Sequence, residues 1–322
     1  MQNTMKKHFL FTLALLVGIA AMAQEADAPA KTGNWKFGGN IGLNFAQSSY
    51  TNWAAGGQNS LNWLGTFNYS ANYAKGNLKW DNTLNTSLGY RYYSFKEKAI
   101  KTDDKIEFTS LGGIKATEKL NYSLELAFRS QFAKGYDYAT DSTNYTSKWL
   151  APAYITLGLG MEWVPNEHFS VNFAPVTGRV TIVNDTALAS AGAYGVNTLD
   201  KNDTITHAVR TIRYEFGARL SAKLKYTIIK NVDFESKIDL FSNYLNHPER
   251  IDVDWQNLLV LKVNSWLNCN VGTHLIYDYD IKFPILDEQG VHMLDGDGNP
   301  LMTTGSKIQF KEVLSIGFLI NL

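Results

Sequence analysis

The chain of 322 residues contains a single cysteine, Cys269, so no intrachain disulfide can form in any compartment. Charge of one sign is missing as well: 30 Lys and Arg balance 30 Asp and Glu. Without a basic surplus to neutralise phosphates, nucleic-acid binding is excluded as the main role. Seven prolines and 25 glycines leave no room for a long disordered tail. Past the first two dozen residues, no apolar run approaches the ~18 residues of a membrane-spanning helix. If the mature chain crosses a membrane, it must do so with strands. What is abundant is aromatic: 17 Tyr, 17 Phe and 8 Trp.

The first residues read as a targeting segment. Lys6 and Lys7 precede the apolar run Phe9 to Met22, and Ala21-Met22-Ala23 places small residues before a cleavage site. The expectation is a secretory signal peptide at 1–23, an exported chain beginning at Gln24, a short lead over 24–33, and one folded unit over 34–322. Gln24 stands where a lipid-anchored chain would need Cys, so no lipid anchor is expected.

From Trp35 onward an alternation of apolar and polar residues recurs. Leu61, Trp63, Phe67, Tyr69, Ala71 and Tyr73 alternate with Ser60, Asn62, Thr66, Asn68, Ser70 and Asn72. Ile212, Tyr214, Phe216, Leu220, Leu224 and Tyr226 alternate with Arg213, Glu215, Arg219, Ser221, Lys223 and Lys225. The last run, Gly305 to Leu322, sets Ile308, Phe310, Leu314, Ile316, Phe318 and Ile320 on one face, with Glu312 the only polar intruder. Period two is the signature of a strand with one oily and one wet face. Twelve such runs follow one another, most of about ten residues or more, the length that a tilted membrane strand needs.

The connections alternate in step with the strands. Lys75-Gly76-Asn77, Thr117-Glu118-Lys119, Pro165-Asn166-Glu167, Lys230-Asn231 and Asn268-Cys269-Asn270 read as tight turns after even-numbered strands. Odd-numbered strands are followed mostly by longer segments, such as 133–146, 184–207 and 285–304. A soluble sandwich does not require that phase, whereas an outer-membrane barrel has short periplasmic turns and long external loops. The expected fold is therefore all-β: a closed, antiparallel, up-and-down transmembrane barrel of twelve strands.

If the oily face meets lipid, the other face lines a lumen. A turn centred near Ile229 would set Lys225 opposite Asp233, Lys223 opposite Glu235 and Arg219 opposite Asp239, a charge ladder that stiffens the wall. Its alternative is a charge-selective constriction, although selectivity filters usually present one sign. His274, Asp278 and Asp280 fall on the inward face of the eleventh strand, as lumen polar groups. A Ser-His-carboxylate relay would also need a serine at a histidine, and no elbow motif selects one; no catalytic residue is assigned. Pro175, within Ala174 to Arg179, predicts a bulge, with Pro152 at a similar height on the neighbouring strand. The last external loop carries Asp295, Asp297 and Asn299, a weak calcium candidate that Asp287 would help; Pro300 stands where a calcium loop requires Gly. Trp53, Gly56 and Gly57 mark the first external loop as a partner-binding or lumen-plugging element.

Several stretches resemble a family of exported Gram-negative proteins designated only as a domain of unknown function. They are Thr51 to Ser60, Leu150 to Gly160, Ala174 to Arg179, Leu240 to Leu245 and Ile276 to Ile281. The resemblance implies an outer-membrane location and supplies no activity or catalytic residue. Family members often carry Glu where Gln58 stands and Asp where Tyr279 stands. The end of the chain is similar to the C-terminal insertion signal of outer-membrane barrels, with Leu322 in place of the usual aromatic residue. The expectation is thus a non-enzymatic outer-membrane barrel with both termini periplasmic. It would be a narrow or plugged pore or an accessory subunit, in contact with outer-membrane lipids and with other outer-membrane proteins. No cofactor beyond the calcium candidate is expected. The alternative is a barrel hydrolase acting on lipid or envelope substrates.

Overall fold

A computed structural model describes residues 33–49, 58–93, 98–138, 141–196, 209–281, 283, 285, 287–289, 293–294, 296, 301, 303 and 305–322, with the backbone alone at 141–143. The elements are β1 (Trp35–Ser48), β2 (Ser60–Lys75), β3 (Leu78–Tyr92), β4 (Ile100–Lys115), β5 (Leu120–Ser130), β6 (Gly135–Asp137), β7 (Asp141–Ser147), β8 (Ala153–Asn166), β9 (Phe169–Ile182), α1 (Thr186–Ser190), β10 (Ile212–Ile229), β11 (Val232–Asn243), β12 (Ile251–Lys262), β13 (Leu267–Tyr277) and β14 (Gln309–Asn321). Twelve of these strands close into one barrel in the order β1-β14-β13-β12-β11-β10-β9-β8-β5-β4-β3-β2. The twelve-stranded antiparallel barrel expected from the alternation is the fold. Hairpin β6–β7 stands apart, on the long connection between β5 and β8.

Period-two alternation decides which way each side chain points. Outward lie the most exposed apolar groups, among them Tyr122, Leu157, Leu159, Trp163, Tyr214, Phe310, Leu314 and Ile316. Inward lie most of the charged and amide side chains. The end with the short turns carries an aromatic ring: Trp35 packs on Tyr73 and Trp80, Trp163 on Phe169, and Trp266 stacks on Phe318 at 5.5 Å. At the opposite end the connections fold on themselves. Ala151, Val183, Ala189 and Val196 form a small buried cluster with Leu188 and Tyr194 against it.

Three expectations change in detail. The turn placed at Asn268-Cys269-Asn270 lies instead at 263–266, because the Asn264 carboxamide accepts the N–H groups of Trp266 and Leu267. Asn268, Cys269 and Asn270 belong to β13. The β10–β11 turn falls at Lys230-Asn231, as the turn residues indicate, with Asn231 at a left-handed φ of 69°, and not at Ile229, on which the charge ladder was centred. The resulting register sets Lys225 opposite Glu235, Lys223 opposite Lys237 and Ser221 opposite Asp239. Finally, β9 does bulge at Pro175, with register shifts on both of its sides. Pro152, however, precedes β8 at the long-loop end, well away from that bulge.

The seam that closes the barrel is short. Strands β1 and β14 pair over six positions, from Asn40↔Asn321 to Phe45↔Ile316, whereas β1 and β2 pair over fourteen.

Candidate functional site: a bridged lumen

Three inward residues of β12, Asp252, Asp254 and Gln256, each reach beyond the neighbouring strands. Asp254 binds the Arg129 guanidinium from β5. Gln256 accepts from Lys105 Nζ of β4 at 3.1 Å and donates to Glu107 Oε1 at 3.4 Å. Counted either way round the twelve-stranded ring, β4 and β12 are six strands apart. The two walls therefore touch across the full width of the lumen. Asp252 accepts from Arg179 Nη2 of β9 at 2.7 Å.

Around this bridge the remaining charges form a continuous network. Arg179 also binds Glu215 through Nη2 at 2.7 Å and Nε at 2.8 Å, a fork on a carboxylate. Its guanidinium lies 4.0 Å from the centre of the Phe241 ring. Glu215 is shared with Arg213 at 3.1 Å, and Arg213 binds Asp280 at the mouth. On the other flank Arg219 joins Asp239 at 2.5 Å and Glu125 at 2.8 Å, and Asn172 links Glu125 to Ser123. Lys311 of β14 reaches Asp103 of β4, and Lys79 of β3 reaches Glu162 of β8 at 3.1 Å. A cavity of about 120 Å³ remains among Glu107, Arg129, Arg179, Arg219 and Asp239.

The residues singled out in the sequence are distributed as follows. Lys225 pairs with Glu235 at 2.5 Å, and Arg219 with Asp239, diagonally rather than face to face. Asp233 turns to Lys262 at 2.5 Å and accepts from Thr227 at 2.7 Å. Lys223 makes no hydrogen bond or ion pair among the described residues; like charge opposes it at Lys237, which binds Asp239 at 3.0 Å. His274 is a lumen residue, its Nε2 2.9 Å from Asp254 Oδ1. Asp278 and Asp280 sit beyond the end of β13 rather than on it, at the long-loop mouth. Burial there pushes the Asp278 carboxyl above the usual range. Asp287 is exposed and accepts the Gln289 N–H. Trp53, Gly56 and Gly57, and Asp295, Asp297 and Asn299, lie outside the described residues, as does the segment 1–32.

Sequence reasoning did not single out Arg129, Arg179, Asp252, Asp254 or Lys105. The available signal was a run of inward charges on β4 and β12; which of them meet across the lumen depends on strand tilt and on the cross-section of the barrel, not on local spacing. Above the mouth, Asp185 caps α1 by accepting from Leu188 N–H at 2.9 Å, and binds Lys148 at 2.6 Å and the Tyr145 hydroxyl at 2.7 Å. Lys148, then the Leu188 N–H, then Tyr145 hold that carboxyl well below the usual carboxylate range.

Residues 45–136, from the end of β1 to the start of the β6–β7 hairpin, match a family described as a protein of unknown function, DUF3078. The matched part is less than half of the chain. The match bears out the resemblance drawn from the sequence, and of the stretches that carried it, Thr51 to Ser60 lies inside the matched part. Among solved structures, the NanC porin is similar at 10% identity and a TM-score of 0.36, over 89% of this chain and 98% of that one. An outer-membrane channel from Pseudomonas putida F1 shares 10% identity at a TM-score of 0.36, over 92% and 100%. The translocator domain of the autotransporter NalP from Neisseria meningitidis shares 8% identity at 0.29, over 98% and 97%. No curated protein matches the chain.

Proposed function

We propose that this DUF3078-containing chain is an integral outer-membrane barrel whose lumen is closed at rest by its own side chains, a plugged narrow pore. The observation that carries the reading is the diametric contact Lys105–Gln256–Glu107, flanked by the Arg129–Asp254 pair. An apolar exterior with a polar interior fits a barrel in lipid, where every backbone group is satisfied between strands. β1 begins and β14 ends at the short-turn end, which this reading assigns to the periplasm. Network charges of both signs neutralise one another, so the plug would hold back cations and anions alike. The hydrolase alternative finds no support at His274, to which no hydroxyl hydrogen-bonds among the described residues.

The test is conductance of the purified, refolded chain in planar bilayers. The unaltered protein should stay silent at low voltage, and Arg129→Gln combined with Asp254→Asn and Lys105→Gln should give steady single-channel current. Open-pore current from the unaltered protein, or silence from the triple variant, would overturn the plug.

A further inference from the structure

The outward face is apolar nearly everywhere, and where polar groups occur on β3 they bond to their own wall. Asn82 donates to Ala71 O at 3.1 Å, Thr86 to Phe67 O at 3.2 Å, and Ser110 of β4 accepts from Trp80. One flank differs. The registers of four consecutive strands bring Ser236 of β11, Asn257 of β12, Thr273 of β13 and Glu312 of β14 into a single row on the outside of the barrel. The row above is apolar, running Ile238, Trp255, Leu275, Phe310, and so is the row below, Phe234, Leu259, Val271, Leu314. Glu312 is exposed and has no hydrogen-bond or ion-pair partner among the described residues. A carboxylate between two oily rows is costly against hydrocarbon and marks a contact site.

We infer that this row is the contact between two copies of the chain, side by side in the membrane. The inference rests on the membrane reading above. Two parallel barrels with their termini on the same side are related by a two-fold axis along the membrane normal, so the same patch meets itself. With the axis between β12 and β13, each row runs against its counterpart in reverse: Thr273 faces Asn257 of the second copy, and Ser236 faces Glu312. The hydrogen-bond inventory fits that pairing. Thr273 Oγ1 already accepts from Asn257 Nδ2 at 3.2 Å, which leaves its own O–H to donate to the Asn257 Oδ1 opposite. Ser236 Oγ likewise accepts from Trp255 Nε1 at 3.0 Å, which leaves its O–H for the Glu312 carboxylate opposite. The row spans four strands, roughly 14 Å at about 4.8 Å per strand. At its ends the two curved walls diverge, and there stands Glu312, the longest of the four side chains. A lipid ammonium fits less well, since a headgroup would have to pass the apolar row of Phe310 and Leu275 to reach the carboxylate.

The test uses the full chain in phospholipid vesicles. Ser236→Cys with Glu312→Cys, in a Cys269→Ala background, should give a disulfide-linked dimer on mild oxidation. Leu126→Cys, outward on β5 at the opposite flank, should not. Energy transfer between labelled copies should show Asn257→Leu with Thr273→Val weakening association roughly tenfold. Monomer only, equal cross-linking at Leu126→Cys, or cross-linking of the row to a different protein would overturn the dimer. Heat-modifiable migration and flotation with the vesicles are read in parallel: a chain that fails to embed refutes the membrane reading, and an embedded monomer refutes the dimer alone.

Discussion

The two halves of the lumen wall are built differently. The inward faces of β1, β2 and β3 are neutral at mid-height, with Asn40, Asn44, Asn62, Thr66, Asn68, Ser70, Asn72, Thr83 and Asn85. Those of β9 to β12 carry Arg179, Arg213, Glu215, Arg219, Lys237, Asp239, Asp252 and Asp254. On the neutral side the Asn68–Asn40 amide pair bonds at 2.9 Å, while Asn44 Oδ1 and Asn72 Oδ1 have no hydrogen-bond partner among the described residues. Both of these oxygens are shielded from solvent. On the charged side each carboxylate sits against one or two cations, and long Arg and Lys side chains join these strands to β4 and β5. The same fold thus has a charged half whose side chains reach across the lumen and a neutral half that lines the wall between β14 and β4.

That contrast can be broken most severely where the halves join. Deleting Phe318 to Leu322 removes four of the six β1–β14 pairs and should abolish membrane insertion altogether. Normal heat-modifiable, embedded protein after the deletion would show that the seam is not needed. Within the charged half, Asp254→Asn alone strips Arg129 of its carboxylate and should cost about 2 kcal/mol in denaturant unfolding, below the 3–5 typical of dry pairs because the lumen is partly wet. The pair Arg129→Gln with Asp254→Asn should cost less than the sum of the two single changes, a coupling that a double-mutant cycle reads directly. In the neutral half, Asn68→Ala loses one uncharged hydrogen bond and should cost only ~1 kcal/mol, with no change in conductance. The smallest effect is expected above the mouth. Asp185 is held below its unfolded value of about 3.9, so its contribution is complete above that pH and fades as pH falls toward the native value. Amide exchange at α1 should accelerate over that acid window, and Asp185→Asn should abolish the dependence on pH.

Strand number and the direction of each side chain were legible because alternation is local and was repeated twelve times. Register was less so. A turn is fixed by single residues whose side chains cap backbone groups, and Val263 next to Asn264 disguised one such turn as strand. The ladder between β10 and β11 was displaced because it was centred on Ile229, whereas the turn is made by Lys230 and Asn231. The cross-lumen network was legible only as charge: no spacing along the chain tells that Lys105 meets Gln256. The outward row was visible in one residue, Glu312, but its meaning needed three other strands in register.

The six-pair seam has a consequence for how the molecule is made. Most neighbouring strands in the ring are joined by a single turn or loop, and β5 to β8 by a longer connection, so each contact can form soon after its two strands exist. The seam alone joins residues from opposite ends of the chain, and its closure carries the largest loop entropy of any pairing in the barrel. Assembly should therefore run as a zipper of hairpins with β1 and β14 meeting last, and the oily edge of β14 would stay open, as a template for whatever machinery inserts the chain, until that final step.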